Sequence, residues 1–374
     1  MQPSKFSNIY EVPPNQRYWV IRADSGYYHS NFRVGECIAI AHLDALNIDT
    51  SIDEPFQPDT DDLYSHIESV FHAQDKTKAQ ITSVSNQVKK FLYEMKPGDL
   101  VLTPGSDVIS IGRVIGLPRL SKTAVVARDS IDSSNDIRME HNLRRKVAWG
   151  KPIRRNKLPI AVSRSLRANQ TVFNVDDHWE AIHHLIYPIF MKNEKTYLSF
   201  KLNQEENINN FLVSRFLDFL SKTEAFSELI SEINQWDTSA FNRQFLDYAL
   251  AGEGSLTLKA HFMSPGEVNT TFGGAAVSYI RETLTPQESK RLIYAICLYT
   301  AIFGNSIIGF DGIIDLETRH IIRDFMATNW FDDLGDSIKD QLLLDMPGLD
   351  TAALEESAND EVIEENTTAD LLEI

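Results

Sequence analysis

A mixed α+β fold in two unlike parts is what the sequence predicts, and three observations carry it. Short runs rich in aromatic and β-branched residues recur through the first half, several of them bounded by Gly or Pro. Between these runs lie segments whose apolar residues fall at helical spacing. Beyond residue 176 helical patterns take over and the charge changes sign. With 374 residues, 43% hydrophobic and 24% charged, the chain has apolar content for more than one core.

RYWVIR (17–22) alternates and is rich in strand-forming types, so it is a first strand. The polar, Gly-containing RADSGYYHSNF that overlaps its end is expected as a loop, and GECIAIAHL (35–43) as a second strand. DTDDLYSHIESVFHA places Leu63, Ile67, Val70 and Phe71 on one helical face. SVSNQVKKFLYEM (83–95) does the same with Val84, Val88, Phe91, Leu92 and Met95, and Pro97-Gly98 stops it. DLVLTP, a turn at Gly105-Ser106 and VISIGRVIG form two further strands, with Gly112 placed to let the strand bend or be closely approached. A polar loop at 121–140, the strand LRRKVAW (143–149) and a short helix with a closing strand in LPIAVSRSLRANQTVFNV complete a small closed or half-closed barrel flanked by helices.

Five segments then read as helices: 176–190, 204–220, 238–251, 286–304 and 317–331. SLTLKAHFMSPGEV (255–268) reads between them as a strand ending at Pro265-Gly266. The division expected is an N-terminal extension (1–16), a first domain (17–175), a mostly helical second domain (176–344) and an acidic, disordered tail (345–374). Neither cysteine, Cys37 or Cys297, sits in a paired or metal-binding spacing, so both are expected buried and reduced. MQPSKFSNIYEVPPNQ lacks the apolar stretch of a signal peptide, so a cytoplasmic location is expected. The longest apolar run, 292–310, is broken by Gly304, Asn305 and Ser306; a core helix, not a membrane span, is expected there.

The net charge of -17 conceals the split. Residues 1–175 hold 23 Lys/Arg against 19 Asp/Glu, which leaves 13 against 34 for the remainder. Arg138 to Lys157 alone carries eight basic residues and one acid, Glu140, a patch suited to a phosphate backbone.

The ordered set YWVIRA, a helix, MKPGDLVLTP, a strand with IGRVIG and a strand ending in VAW resembles the EVE branch of the PUA-like fold, as found fused to Mrr-type modification-dependent restriction proteins. The resemblance covers about 17–175 and implies a PUA-like small β-barrel that holds a flipped, often modified base in an aromatic pocket. It implies a prokaryotic restriction or anti-phage defence setting, and it favours the residues after the first strand and at the start of the long helix, Arg22, Asp24, Ser25 and Asn86, as pocket lining.

The residue chemistry is consistent with this. An extruded base costs a few kcal/mol of unstacking, which aromatic stacking offsets. Tyr18, Trp19, Tyr27, Tyr28, Phe32 and Trp149 are the available platforms, with core packing the alternative for Trp19 and Trp149. Asn31, Pro104 and Asp107 are further candidates for reading a base edge or touching a ligand, and Asp107 is equally a turn residue. Arg144, Arg145, Lys146, Lys151, Arg154 and Arg155 are the phosphate candidates. DNA is favoured over RNA as the partner.

For residues 176–344 the expectation is a homo-oligomer interface or docking of an effector protein. No catalytic residue, metal or cofactor is expected: there is no Walker loop, GxGxxG, HExxH or CxxC, and Thr257 stands where a PD-(D/E)xK nuclease would place an acid before Lys259. FGGAAV (272–277) lacks the Lys-Ser/Thr of a phosphate loop, His183 and His184 point apart on a helix, and Asp311, Asp315 and Glu317 fit a loop and helix start. The competing expectations are a modification-dependent endonuclease with a divergent C-terminal active site, and an RNA-binding protein.

Overall fold

The computed structural model describes residues 10–46, 48, 55–128, 135–193, 195–202 and 208–229, with the backbone of strands 256–261, 266–272 and 344–345. These residues fall into two compact units, one within 15–182 and the other formed by the residues before 15 and from 183 on. Strands are numbered along the whole chain, so β1 (Tyr10–Glu11) belongs to the second unit.

In the first unit β2 (Tyr18–Ile21), β3 (Cys37–Ile40), β4 (Leu100–Pro104), β5 (Val108–Val114), β9 (Leu143–Trp149) and β11 (Val172–Asn174) form one curled half-barrel, in the order β11-β2-β4-β5-β9-β3. The short strands β6 (Arg119–Leu120) and β10 (Ile153–Arg154) join β9 and β5. β2 and β4 run parallel, so the chain must cross over between them. That crossover carries α1 (His29–Val34), β3, α2 (Thr60–Ala73) and α3 (Lys78–Lys89). The remaining neighbours are antiparallel. Gly112 lets β9 lie close on β5: a Cβ there would stand 2.5 Å from Val147 Cγ1 and 2.6 Å from Trp149 Cε3.

Local sequence accounts for the helix starts. Asp59 Oδ1 accepts from the amides of Asp61 and Asp62 at the head of α2, and Thr77 with Gln80 forms a capping box on α3. Leu63, Ile67, Phe71, Ile81 and Val88 turn from these helices into a core shared with Trp19, Ile21, Ile38, Val101, Leu143 and Val147. Each such side chain contributes roughly 1.5–3 kcal/mol on burial.

Three elements depart from expectation. The helix expected over 83–95 begins at Lys78 and ends in a π-helical turn, Lys90–Glu94, closed by the Met95 amide on the Lys90 carbonyl. The polar loop expected after β2 contains α1. Within 121–140, β7 (Val125–Arg128) and β8 (Asp136–Met139) pair antiparallel. The short helix expected near 160 is α4 (Ile160–Ser165).

In the second unit β12 (Ile189–Lys192), β13 (Lys195–Leu202), β14 (Leu256–His261) and β15 (Gly266–Phe272) form a sheet in the order β1-β12-β13-β15-β14, with β16 (Leu344–Asp345) against β13. The helix expected over 176–190 ends as α5 (Trp179–Ile186), two residues before Pro188, which has no amide to continue it. α6 (Asn210–Leu229) falls where a helix was expected. One strand was expected over 255–268; two antiparallel strands stand there, the second starting at Gly266. The helices expected at 238–251, 286–304 and 317–331 lie outside the described residues. So do Cys297, Asp311, Asp315, Glu317, FGGAAV beyond Phe272 and the tail beyond Asp345. Among the described residues no helix is long and apolar enough to cross a membrane.

Candidate nucleic-acid interface

β2 ends against β11, where the Arg22 amide donates to the Thr171 carbonyl at 2.9 Å. The chain then turns through three consecutive left-handed residues, Asp24 (φ 48°), Ser25 (φ 56°) and Gly26 (φ 98°). Non-glycine residues in this region cost about 1 kcal/mol or more each and persist only where the surroundings hold them. Here the holding contact is the β4–β5 corner: a Cβ on Gly26 would lie 3.2 Å from the Gly105 carbonyl carbon, and one on Gly105 would lie 3.0 Å from the His29 ring.

α1 locks the other side of the turn. His29 Nε2 and Arg33 Nη1 both meet Ser110 Oγ, at 2.9 and 3.0 Å, and Arg33 also donates to the Gly150 carbonyl. Asn31 Nδ2 donates to the carbonyls of Val125 and Ile137, tying the β7–β8 pair to α1.

The expected base-pocket residues separate accordingly. Asp24, Ser25 and Tyr27 are exposed at the turn, Tyr27 by 55%, and Arg22 is half-buried at its base. Asn86 is exposed on α3. Trp149 is half-buried, with its indole N–H on the Phe32 carbonyl at 2.9 Å. Asp107 is exposed and Pro104 is buried in β4.

Trp19, Asn31 and Phe32 are core residues and not pocket lining. Trp19 donates to Asp99 Oδ2 at 2.9 Å beneath the Arg17 guanidinium, Asn31 Nδ2 is spent on two carbonyls while its Oδ1 is enclosed without a partner among the described residues, and Phe32 is wholly enclosed. Tyr18 is likewise buried.

Sequence reasoning missed four residues around this turn. Gln87, beside Asn86, accepts from the amides of Thr171 and Val172 at 2.7 and 3.1 Å, so α3 is fastened next to Arg22. The His42 ring sits beside Gln87; burial holds it below the ordinary imidazole range, against the opposing pull of Asp44. Among the described residues His42 Nδ1 and Arg22 Nε are buried without a hydrogen-bond partner. His141 and Asp44 pair at 3.0 Å, and the His141 ring meets Tyr28 edge-on, with centroids 5.0 Å apart. His42 fell inside the strand expected over 35–43, whereas β3 ends at Ile40, so no sequence signal marked it.

Two of the six expected phosphate contacts are internal. The Arg145 side chain donates to the carbonyls of Phe91 (2.9 Å), Leu92 (3.0 Å) and Gly116, and is 2% exposed. Arg144 is also buried, its Nε on the His141 carbonyl at 2.7 Å.

Lys146, Lys151, Arg154 and Arg155 are exposed, and Lys157, Arg164 and Arg167 join them. No acid lies between Glu140 and Asp176. Arg155, midway along this segment, anchors it on the β4–β5 corner, through its amide to the Asp107 carbonyl and Nη1 to Gly105. Near its last residue Arg22 Nη2 donates to the Leu166 carbonyl. The cationic segment therefore spans the two contacts that frame the Asp24–Tyr28 turn.

Set against protein-family models, curated proteins and solved structures, the chain matches none of them. Among the described residues no group of three or more His, Cys, Asp or Glu is placed to hold a metal ion.

Proposed function

We propose that this protein reads nucleic acid, holding one extruded base at the Asp24–Tyr28 turn while the 146–167 segment grips the backbone. The single observation that carries the reading is that segment: seven exposed cations, uninterrupted by any acid, anchored on both sides of a strained turn that presents an aromatic residue. Cations of this density release counterions from a phosphate backbone, and they position the strand without reading sequence. Selectivity then falls to the turn, where Tyr27 and Tyr28 offer stacking surface, and where Arg22, His42 and Asn86 supply polar groups for a base edge.

DNA bearing a modified base is the proposed substrate, in a restriction or defence setting, with the second unit serving assembly or recruitment of a partner. The resemblance stated above supports these finer points by analogy alone.

The test is binding of the full chain to duplexes carrying unmodified, 5-methyl-, 5-hydroxymethyl- or glucosylated cytosine, with RNA of the same sequence alongside. Preference for one modified duplex is expected. Equal binding to all of them removes the base-reading role, tighter binding to RNA moves the reading to RNA, and no binding at low salt overturns it.

A further inference from the structure

Tyr27 and Tyr28 form an edge-to-face pair with centroids 5.0 Å apart. The first is more than half exposed and the second partly so, so neither ring is held by core packing alone. An exposed ring that must stack on a ligand loses rotamer freedom when it does so, and a ring already fixed binds more tightly.

The structure supplies a fixing contact from two other segments. The Tyr28 ring also meets the His141 ring, at 80° and with centroids 5.0 Å apart. His141 Nδ1 donates to Asp44 Oδ2 at 3.0 Å, while Asp44 Oδ1 accepts from the Asn142 amide at 2.9 Å. The His141 carbonyl accepts from Arg144 Nε at 2.7 Å. The pair is thus tied to backbone on both sides: Asp44 on the 3-10 turn Ala41–Leu46, and His141 on the turn leading into β9.

We propose that Asp44 and His141 are positioning residues for the Tyr27–Tyr28 platform: the carboxylate orients the imidazole, and the imidazole braces Tyr28 for stacking. This rests on the base-reading role given above and adds to it the two residues that pre-organise the reading surface.

A double-mutant cycle on the full chain tests it, using the same four duplexes and comparing variants on whichever is preferred. Tyr28→Ala is expected to weaken binding about tenfold or more, in line with the loss of one stacking surface. His141→Ala and Asp44→Asn are each expected to weaken it several-fold, less than Tyr28→Ala does.

In the Tyr28→Ala background, His141→Ala is expected to have no further effect, since the ring it braces is gone. Thermal melts run in parallel identify a folding loss, and Asp44→Asn stands in should His141→Ala unfold. If Tyr28→Ala weakens binding and neither His141→Ala nor Asp44→Asn does, or if the two losses simply add, the positioning role is wrong and the base-reading role survives. If Tyr28→Ala changes nothing, or no duplex is preferred, both are overturned.

Discussion

At the scale of single residues, His29 and Arg145 are where burial and charge meet most sharply. Burial foremost, and then the nearby Arg33 cation, holds His29 down from 6.5 to about 4. The lowered value means the native state prefers the neutral ring. The stabilisation is therefore complete above about 6.5 and is lost as the pH falls through about 4, at most roughly 3 kcal/mol. Urea unfolding from pH 7 to pH 4 is expected to show this loss in the native chain and a flatter profile in His29→Gln.

Arg145 is the opposite case, a cation kept charged indoors. Burial brings it down to about 10, well above neutrality, and it satisfies carbonyls of the π turn. Arg145→Met leaves those carbonyls without their donor, and a loss of about 2–4 kcal/mol in unfolding free energy is expected. A stability unchanged within error would show that the turn relaxes to an ordinary helix. Neither burial was legible in the sequence. Arg144 and Arg145 sit in a cationic run, and the carbonyls they satisfy belong to residues 3 to 54 positions away.

At the scale of elements, strands were the most legible feature, because aromatic and β-branched runs with glycine corners have few other solutions. RYWVIR, DLVLTP, VISIGRVIG and LRRKVAW all contain strands of the half-barrel. The misses have a common physical origin in long-range contacts. RADSGYYHSNF reads as polar loop, yet Asn31 is enclosed because it binds backbone about a hundred residues on, which lets HSNFRV wind into α1. The widened end of α3 likewise depends on a guanidinium from β9. Of the candidate site, the exposed turn and the cations from Lys146 to Lys157 were legible from composition, and Arg164 and Arg167 were not. His42, Gln87, His141 and Asp44 were not, since only the fold brings 3-10 turn, helix and β8–β9 connection to one place.

At the scale of the whole molecule, charge is the organising quantity. A chain with net charge -17 repels polyanions on average, so any grip on a backbone must be local. Replacing Arg154, Lys157, Arg164 and Arg167 by Gln is expected to flatten the dependence of log affinity on log salt, by about 0.9 for each phosphate no longer neutralised. The same change should weaken modified and unmodified duplexes equally. An unchanged slope measured by fluorescence anisotropy would place the grip elsewhere.

The pairing of β11 with β2 has a consequence for the chain as a movable part. Val172, Phe173 and Asn174 lie opposite Ile21, Val20 and Trp19, and the Val175 amide donates to the Tyr18 carbonyl at 2.8 Å. The strand that enters the first unit and the strand that leaves it are thus neighbours running in opposite directions. A unit whose ends meet in this way can be spliced into a surface loop of an unrelated carrier without prising the host's loop ends apart. It can travel between proteins as a cassette.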